Sequence, residues 1–318
     1  MRAIDATMLR CTACGHVSLE RQGQNLACPA CHTMTPVVED IPRFVPAENY
    51  GSSFGLQWNR HRRTQLDSFT GLSLTRDRLF AATRWPTRLD GLRVLEAGSG
   101  AGRFTEILVS TGAEVHSFDL SAAVDANRQN NGAAPNLTLY QADILNPPFP
   151  PASFDKVICL GVIQHTPDPG ASFQSLARFV KPGGEIVIDC YPKTLAGLLN
   201  WKYVLRPITT RMDRETLYRV IERWAPRLVP ASAWLRRHLG RGGMRLLPIL
   251  QYEHWGLPDP LNREWAVLDT FDMYSPTYDN PATASEIREW LEKAGLNSID
   301  VRPGLNGFVA SGRRPTHM

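Results

Sequence analysis

A chain of 318 residues that is 43% hydrophobic and 21% charged reads as an ordinary soluble globular protein, with room for one large α/β domain and a small appendage. No apolar run reaches the roughly 20 residues that a membrane-crossing helix needs. The N-terminus, MRAIDATMLRC, lacks the apolar core of a signal peptide, so the cytoplasm is the expected location. The net charge of +4 is local: residues 193–245 hold twelve Lys/Arg against three Asp/Glu, leaving 23 against 28 elsewhere, which suggests a local anionic partner.

The first segment, 1–40, contains CTACGHVSLERQGQNLACPACHT, in which 13 residues separate two Cys-x-x-Cys pairs. Each pair can turn two thiolates toward one ion. Four thiolates at Cys11, Cys14, Cys28 and Cys31 match a tetrahedral Zn²⁺ with no open position, a structural and not a catalytic site. Such an ion supplies folding energy that about forty residues cannot draw from a core. The alternative is a metal-free tail or a redox pair. Cys159 and Cys190 lie alone in apolar runs and read as buried strand residues.

Residues 41–90 form a helical lid or linker, with FGLQWNRHRRTQLDSFTG at 54–71 mixing aromatic and basic side chains. Phe54, Trp58 and Arg60 are lid candidates, Arg60 as a carboxylate clamp. A helix simply packed on the sheet is the alternative.

From 91 to 192, apolar and polar stretches alternate in βαβ fashion: LRVLEAG, a helix from about Gly102 to Ser110, AEVHSFDL, a helix from about Ala122, NLTLYQADI, FDKVICLGV, a helix near 172–179, then KPGG into EIVIDCY. Strands joined by helices predict a parallel sheet covered on both faces, with ligands at the strands' C-terminal ends. The turn VLEAGSGAGRFT carries Gly98, Ser99, Gly100 and Gly102 behind Glu96. A dinucleotide fingerprint would need a small residue at 103, where Arg103 stands. Glu96 also opposes a pyrophosphate and suits a cationic or donor group. Asp119, closing the second strand beside Leu120, can accept from two ribose hydroxyls. Asp143 closes the third strand, where it can meet an adenine amino group, with Ile144 on the ring.

These residues resemble class I S-adenosylmethionine-dependent methyltransferases, in the branch containing ubiquinone-biosynthesis-like enzymes. The matching motifs are ExGxGxG at 96–102, Asp119, Asp143, FDKVICLGVIQHTPDP at 154–169 and LARFVKPGGEIVI at 176–188. The resemblance implies a Rossmann-like, seven-stranded, mostly parallel sheet with an antiparallel C-terminal hairpin. It also implies that Glu96 and the glycine loop hold the methionine part of S-adenosylmethionine, Asp119 the ribose, Asp143 and Ile144 the adenine, and that Gly161 lines the other side. The cysteine module resembles the zinc-ribbon fold of the small activator subunit of tRNA and protein methyltransferases. His165, just past the fourth strand, is the candidate general base or acceptor-positioning group, and Asp168 a loop or cap residue.

A basic insert at 193–261 is expected to build the acceptor pocket. Its TLYRVIERWA is helical, Pro226 and Pro230 are expected to end or kink it, and RRHLGRGGMRLLPIL is expected to be loop-like at its glycines. Residues 262–318 complete the core, with Thr283 and Glu286 as a capping box and Gly295 as a helix stop. The function expected is methyl transfer to a small metabolite, natural-product or saccharide-like acceptor, which the insert suits if it is anionic. Alternatives are a ribosomal- or transfer-RNA base methyltransferase using the ribbon on RNA, and a non-catalytic methyltransferase-like scaffold. A homodimer is compatible with the sequence.

Overall fold

The computed structural model describes residues 1–46, 48–194 and 200–316. Its N-terminal part is a small antiparallel sheet of four short strands in sequential order, β1 (Glu20–Gln22), β2 (Asn25–Ala27), β3 (Met34–Val38) and β4 (Ile41–Pro42). This module does not stand apart. Leu9, Leu19, Leu26 and Val37 share one apolar cluster with Phe118, Tyr140 and Phe149 of the main domain. Leu9 is 1% and Leu26 0% exposed, and burying each such side chain stabilises by roughly 1.5–3 kcal/mol.

The main sheet has seven strands: β5 (Arg93–Ala97), β6 (Glu114–Asp119), β7 (Leu137–Gln141), β8 (Phe154–Cys159), β9 (Val180–Cys190), β10 (Asn297–Gly304) and β11 (Gly307–Arg313). Their order is β10-β11-β9-β8-β5-β6-β7. β9, β8, β5, β6 and β7 run parallel, and β11 pairs antiparallel with both β9 and β10. Side chains alternate between faces as the pleat requires. Leu95, Val157 and Ile186 enter the cluster shared with the ribbon, whereas Val94, Ile158 and Val187 enter a second cluster on the opposite face. β9 begins earlier than KPGG suggested, because its first residue, Val180, already pairs with Phe154.

Helices α1 (Ser52–Arg60) and α2 (Leu74–Thr83) precede the sheet, followed by α3 (Arg103–Ser110), α4 (Ala123–Asn131) and α5 (Pro169–Ala177) between strands. Asp168 caps α5, its Oδ1 accepting from Ala171 N at 2.9 Å. After β9 come α6 (Trp201–Thr209), α7 (Arg214–Met244), α8 (Asp259–Tyr274) and α9 (Ala284–Lys293). The Thr283/Glu286 capping box opens α9, and Gly295 follows it with φ 69°.

The prolines do not end α7, and its helical backbone breaks instead at the glycines. Helical backbone continues through Pro226 and Pro230, is interrupted by a kink at Gly240 (φ 64°, ψ −152°), and resumes to Met244. Pro230 cannot donate to the carbonyl four residues earlier, but that carbonyl, on Pro226, accepts from Arg263 Nη1 at 2.8 Å. Tertiary packing on α8 through Leu217, Ile221, Ala225 and Val229 supplies the rest. On this helix Arg219, Arg223, Arg227 and Arg237 are exposed. Among the described residues no helix is long and apolar enough to cross a membrane.

Candidate functional site

The glycine loop leaves β5 and enters α3 at the C-terminal edge of the parallel strands. Gly98 has φ 76°, and a Cβ there would sit 2.3 Å from Val162 Cγ2. Gly102, at the N-terminus of α3, has φ 88°, and a Cβ would sit 2.2 Å from Asn127 Oδ1. Both positions therefore require glycine for space as well as for backbone conformation. Asparagines of α4 clamp the loop: Asn130 Nδ2 donates to Ala101 O at 2.8 Å and Asn131 Nδ2 to Gly102 O at 2.9 Å. Nothing in their local pattern distinguishes them from ordinary polar helix residues.

Glu96 is 3% exposed. Its Oε2 accepts from Thr105 Oγ1 at 2.5 Å and Ser117 Oγ at 2.7 Å, while Oε1 is buried with no protein partner. Burial pushes its carboxyl up to about 7, against the lowering effect of those two hydroxyls. Asp119 ends β6 and ties the loop to the sheet, Oδ2 accepting from Gly100 N at 2.8 Å and Oδ1 from Ser121 N at 2.9 Å. Burial raises this carboxyl too. Ser99 is buried, its amide donating to Phe118 O at 3.1 Å. Asp143 lies past β7, its Oδ1 accepting from Leu145 N at 2.9 Å and from the Tyr50 hydroxyl at 3.3 Å, with Ile144 buried beside it. Gly98, Asp119, Leu120, Asp143 and Gly161 all remain partly accessible along one edge. Such an edge offers an unpartnered carboxylate oxygen, acceptors for a diol and an apolar wall.

Helix α1 crosses this edge. The indole of Trp58 lies 3.2 Å from where a Gly100 Cβ would be, and Leu120 packs equally close to Gly51. Phe54 lies 5.4 Å, ring to ring, from His165. Arg60 turns away from the loop and toward the insert. Its Nη2 meets Glu215 Oε2 at 2.7 Å and its guanidinium stacks 4.3 Å above Tyr218.

His165 ends a 3-10 turn, 163–165, and is 5% exposed. Its Nδ1 is 3.1 Å from Tyr278 O, and its Nε2 is buried without a partner. A carbonyl can only accept, so Nδ1 carries the proton and Nε2 presents a free lone pair. Burial lowers its pKa and favours that neutral form. Tyr191 stands edge-on at 5.5 Å. Arg103 donates to Gln65 Oε1, and Gln65 Nε2 donates onward to Asp269 Oδ1 at 2.9 Å. Arg78 Nη2 pairs with Asp189 Oδ2 at 2.7 Å, and Asp189 Oδ1 accepts from Gly161 N. Burial lowers the Arg103 guanidinium to about 10 and raises Asp269 to about 6.

In the N-terminal module, the Sγ atoms of Cys11, Cys14, Cys28 and Cys31 all lie within 4.8 Å of one another. Two equivalent turns bring them there: Gly15 N donates to Cys11 O and His32 N to Cys28 O, each at 2.9 Å. The residue after each pair takes positive φ, 82° at Gly15 and 58° at His32. Sγ separations of 3.6 Å for Cys11–Cys31 and Cys14–Cys28 approach the roughly 3.8 Å edge of a tetrahedron with metal–sulfur bonds of about 2.3 Å.

Residues 95–188 match the family described as a methyltransferase domain. Over 178 residues the chain is 28% identical to the ubiquinone biosynthesis O-methyltransferase of Xylella fastidiosa, spanning 52% of this chain and 67% of that protein. It is 32% identical over 128 residues to the enzyme of the same name from Leptothrix cholodnii, spanning 37% and 54%. Among solved structures, a chain from the complex between the Haloferax volcanii Trm112 methyltransferase activator and the putative methyltransferase aligns with a TM-score of 0.47 at 16% identity, over 83% of this chain and 98% of that one. A putative S-adenosylmethionine-dependent methyltransferase from Methanococcus maripaludis aligns with a TM-score of 0.46 at 12% identity, over 86% and 98%.

Proposed function

We propose that this chain, which belongs to the class I S-adenosylmethionine-dependent methyltransferases, methylates a small-molecule acceptor bound beside His165. The observation that carries the reading is Glu96 Oε1, a buried acceptor with no protein partner beside a glycine loop. An unpaired buried carboxylate is costly, and a ligand ammonium group would offset that cost. A dinucleotide phosphate in the same place would raise it.

In this reading Glu96, Gly98, Ser99, Gly100 and Gly102 hold the methionine end. Asp119, already oriented by Gly100 and Ser121 amides, takes the ribose hydroxyls with Leu120 alongside. Asp143 takes the adenine amino group and Ile144 the ring face. Trp58 and Phe54 on α1 cover the site and Gly161 forms its opposite wall. Arg103 supports the loop from behind through Gln65. When bound, S-adenosylmethionine supplies a methyl carbon on a sulfonium, whose transfer to an oxygen or nitrogen leaves a neutral thioether. The protein's part is to exclude water, align the acceptor and remove its proton. His165 Nε2, unprotonated and unpartnered, is the group placed to receive it.

The four thiolates of the ribbon hold Zn²⁺ in this account, closing a tetrahedral site with no position left for a substrate. Because the ribbon shares its core with the main domain, the ion stabilises the whole fold. Incubating the protein with S-adenosylmethionine and a panel of hydroxylated and aminated small molecules tests the activity, read as S-adenosylhomocysteine formed. Methyl incorporation into structured RNA, with none into any small acceptor, would contradict the acceptor class. Absence of donor binding altogether would favour a scaffold.

A further inference from the structure

The charges gathered on the acceptor side of His165 come from several elements, and two of the cations are ion-paired. Arg78 of α2 pairs with Asp189 of β9. Arg103 of α3 is joined through Gln65 to Asp269 of α8. Lys202 of α6 pairs with Asp279 at 2.5 Å, its ammonium 4.5 Å from the Tyr191 ring centre. Asp272, one turn beyond Asp269 on α8, is left over. Among the described residues its one hydrogen bond is a long contact, 3.4 Å, from Gln57 Nε2 of α1.

Gln57 itself is fully buried, and its Oε1 has no partner. It lies three residues from Phe54, whose ring faces His165. His165 Nε2 and both side-chain polar atoms of Gln164 are likewise buried and unpartnered. The proposed base therefore lies among polar groups that include a weakly partnered carboxylate on Asp272, several unfilled acceptors and, on α6, the buried and unpartnered Nη1 of Arg206. Of the insert's basic residues Lys202 reaches this region, paired with Asp279, while Arg219, Arg223 and Arg227 are exposed on α7.

Resting on the methyltransferase reading above, we infer that Asp272 and Gln57 form an acceptor subsite for a neutral or cationic molecule rich in hydrogen-bond donors, a polyol or amino-alcohol, and that anionic acceptors are excluded. A carboxylate with a single weak partner gains from a hydroxyl or ammonium donor. It repels a carboxylate or phosphate placed against it, while Arg78 is matched by Asp189 and Arg103 is linked across Gln65 to Asp269. An acceptor held there would lie between α1 and α8 with a donor toward His165.

The test uses the full chain loaded with S-adenosylhomocysteine, titrated calorimetrically with methyl glucoside, glucosamine, glucuronate and glucose 6-phosphate. The same four are assayed as acceptors with S-adenosylmethionine. Binding and turnover are expected for methyl glucoside or glucosamine and not for the two anions. Asp272→Asn should raise the dissociation constant and KM of the preferred probe about 10- to 100-fold and leave S-adenosylhomocysteine affinity within about twofold. Arg223→Gln combined with Arg227→Gln should leave acceptor affinity unchanged. Preference for either anion, loss of affinity in the arginine variant in place of the Asp272 variant, or binding of S-adenosylhomocysteine with none of the four probes would each overturn the subsite. Failure to bind S-adenosylhomocysteine at all would instead remove the donor reading on which it rests.

Discussion

Replacing Glu96 with Gln should stabilise the free protein at alkaline pH while weakening donor binding. The carboxyl of Glu96 is raised from an ordinary 4.5 to about 7, chiefly by burial. A carboxyl raised in the folded state favours folding fully below its unfolded value, and that contribution is lost as pH rises through the folded value. The interval corresponds to roughly 3 kcal/mol. Glutamine is neutral throughout and can still accept from Thr105 and Ser117. Allowing about 1 kcal/mol for imperfect amide hydrogen bonding, Glu96→Gln should gain about 2 kcal/mol at pH 8 and little or nothing at pH 5. Urea denaturation of both proteins at the two pH values measures this, and calorimetry at pH 8 should show S-adenosylmethionine affinity falling about 10- to 100-fold. A variant less stable than the parent at pH 8, or equally stabilised at both pH values, would refute the argument that Glu96 is an unpaired buried acid awaiting a cationic ligand.

Three further outcomes follow from the same geometry. Asp119→Ala removes the acceptor that organises Gly100 and Ser121, and titration should show donor affinity reduced at least tenfold. His165→Ala should lower kcat by about 10²–10⁴ with donor affinity unchanged. In the parent enzyme the acid limb of the kcat profile should lie below pH 6.5, because burial lowers the imidazole, and a rate indifferent to the substitution would dismiss the base. Elemental analysis should find one zinc per chain, and Cys28→Ser, altering a thiol only 1% exposed, should lower the melting temperature of the entire chain. Loss of a separate, low-temperature transition alone would show that the ribbon does not share the domain's core.

The parts legible in the sequence were those set by local pattern. Apolar stretches alternating with polar helical ones marked the strands, Thr283 and Glu286 the start of α9, Asp168 a cap, and two Cys-x-x-Cys pairs the thiolate cluster. What escaped was tertiary in origin. Pro226 and Pro230 looked like helix breakers because nothing nearby in the chain shows Arg263 reaching the freed carbonyl of Pro226. Arg60 looked free to clamp a ligand because Glu215 and Tyr218 lie more than 150 positions away. The grouping of polar side chains near His165 was invisible for the same reason, since Gln57, His165, Asp189 and Asp272 come from four distant elements. Composition pointed to a basic insert, and the structure spreads that charge between exposed Arg219, Arg223 and Arg227 on α7 and buried Lys202 on α6.

The central claim is that the glycine loop cradles the methionine end of S-adenosylmethionine and not a dinucleotide phosphate. Calorimetric titration of the purified chain with S-adenosylmethionine and, separately, with NAD tests it most directly. The account predicts one S-adenosylmethionine per chain with micromolar affinity and no heat from NAD. Saturable binding of NAD without binding of S-adenosylmethionine would contradict it.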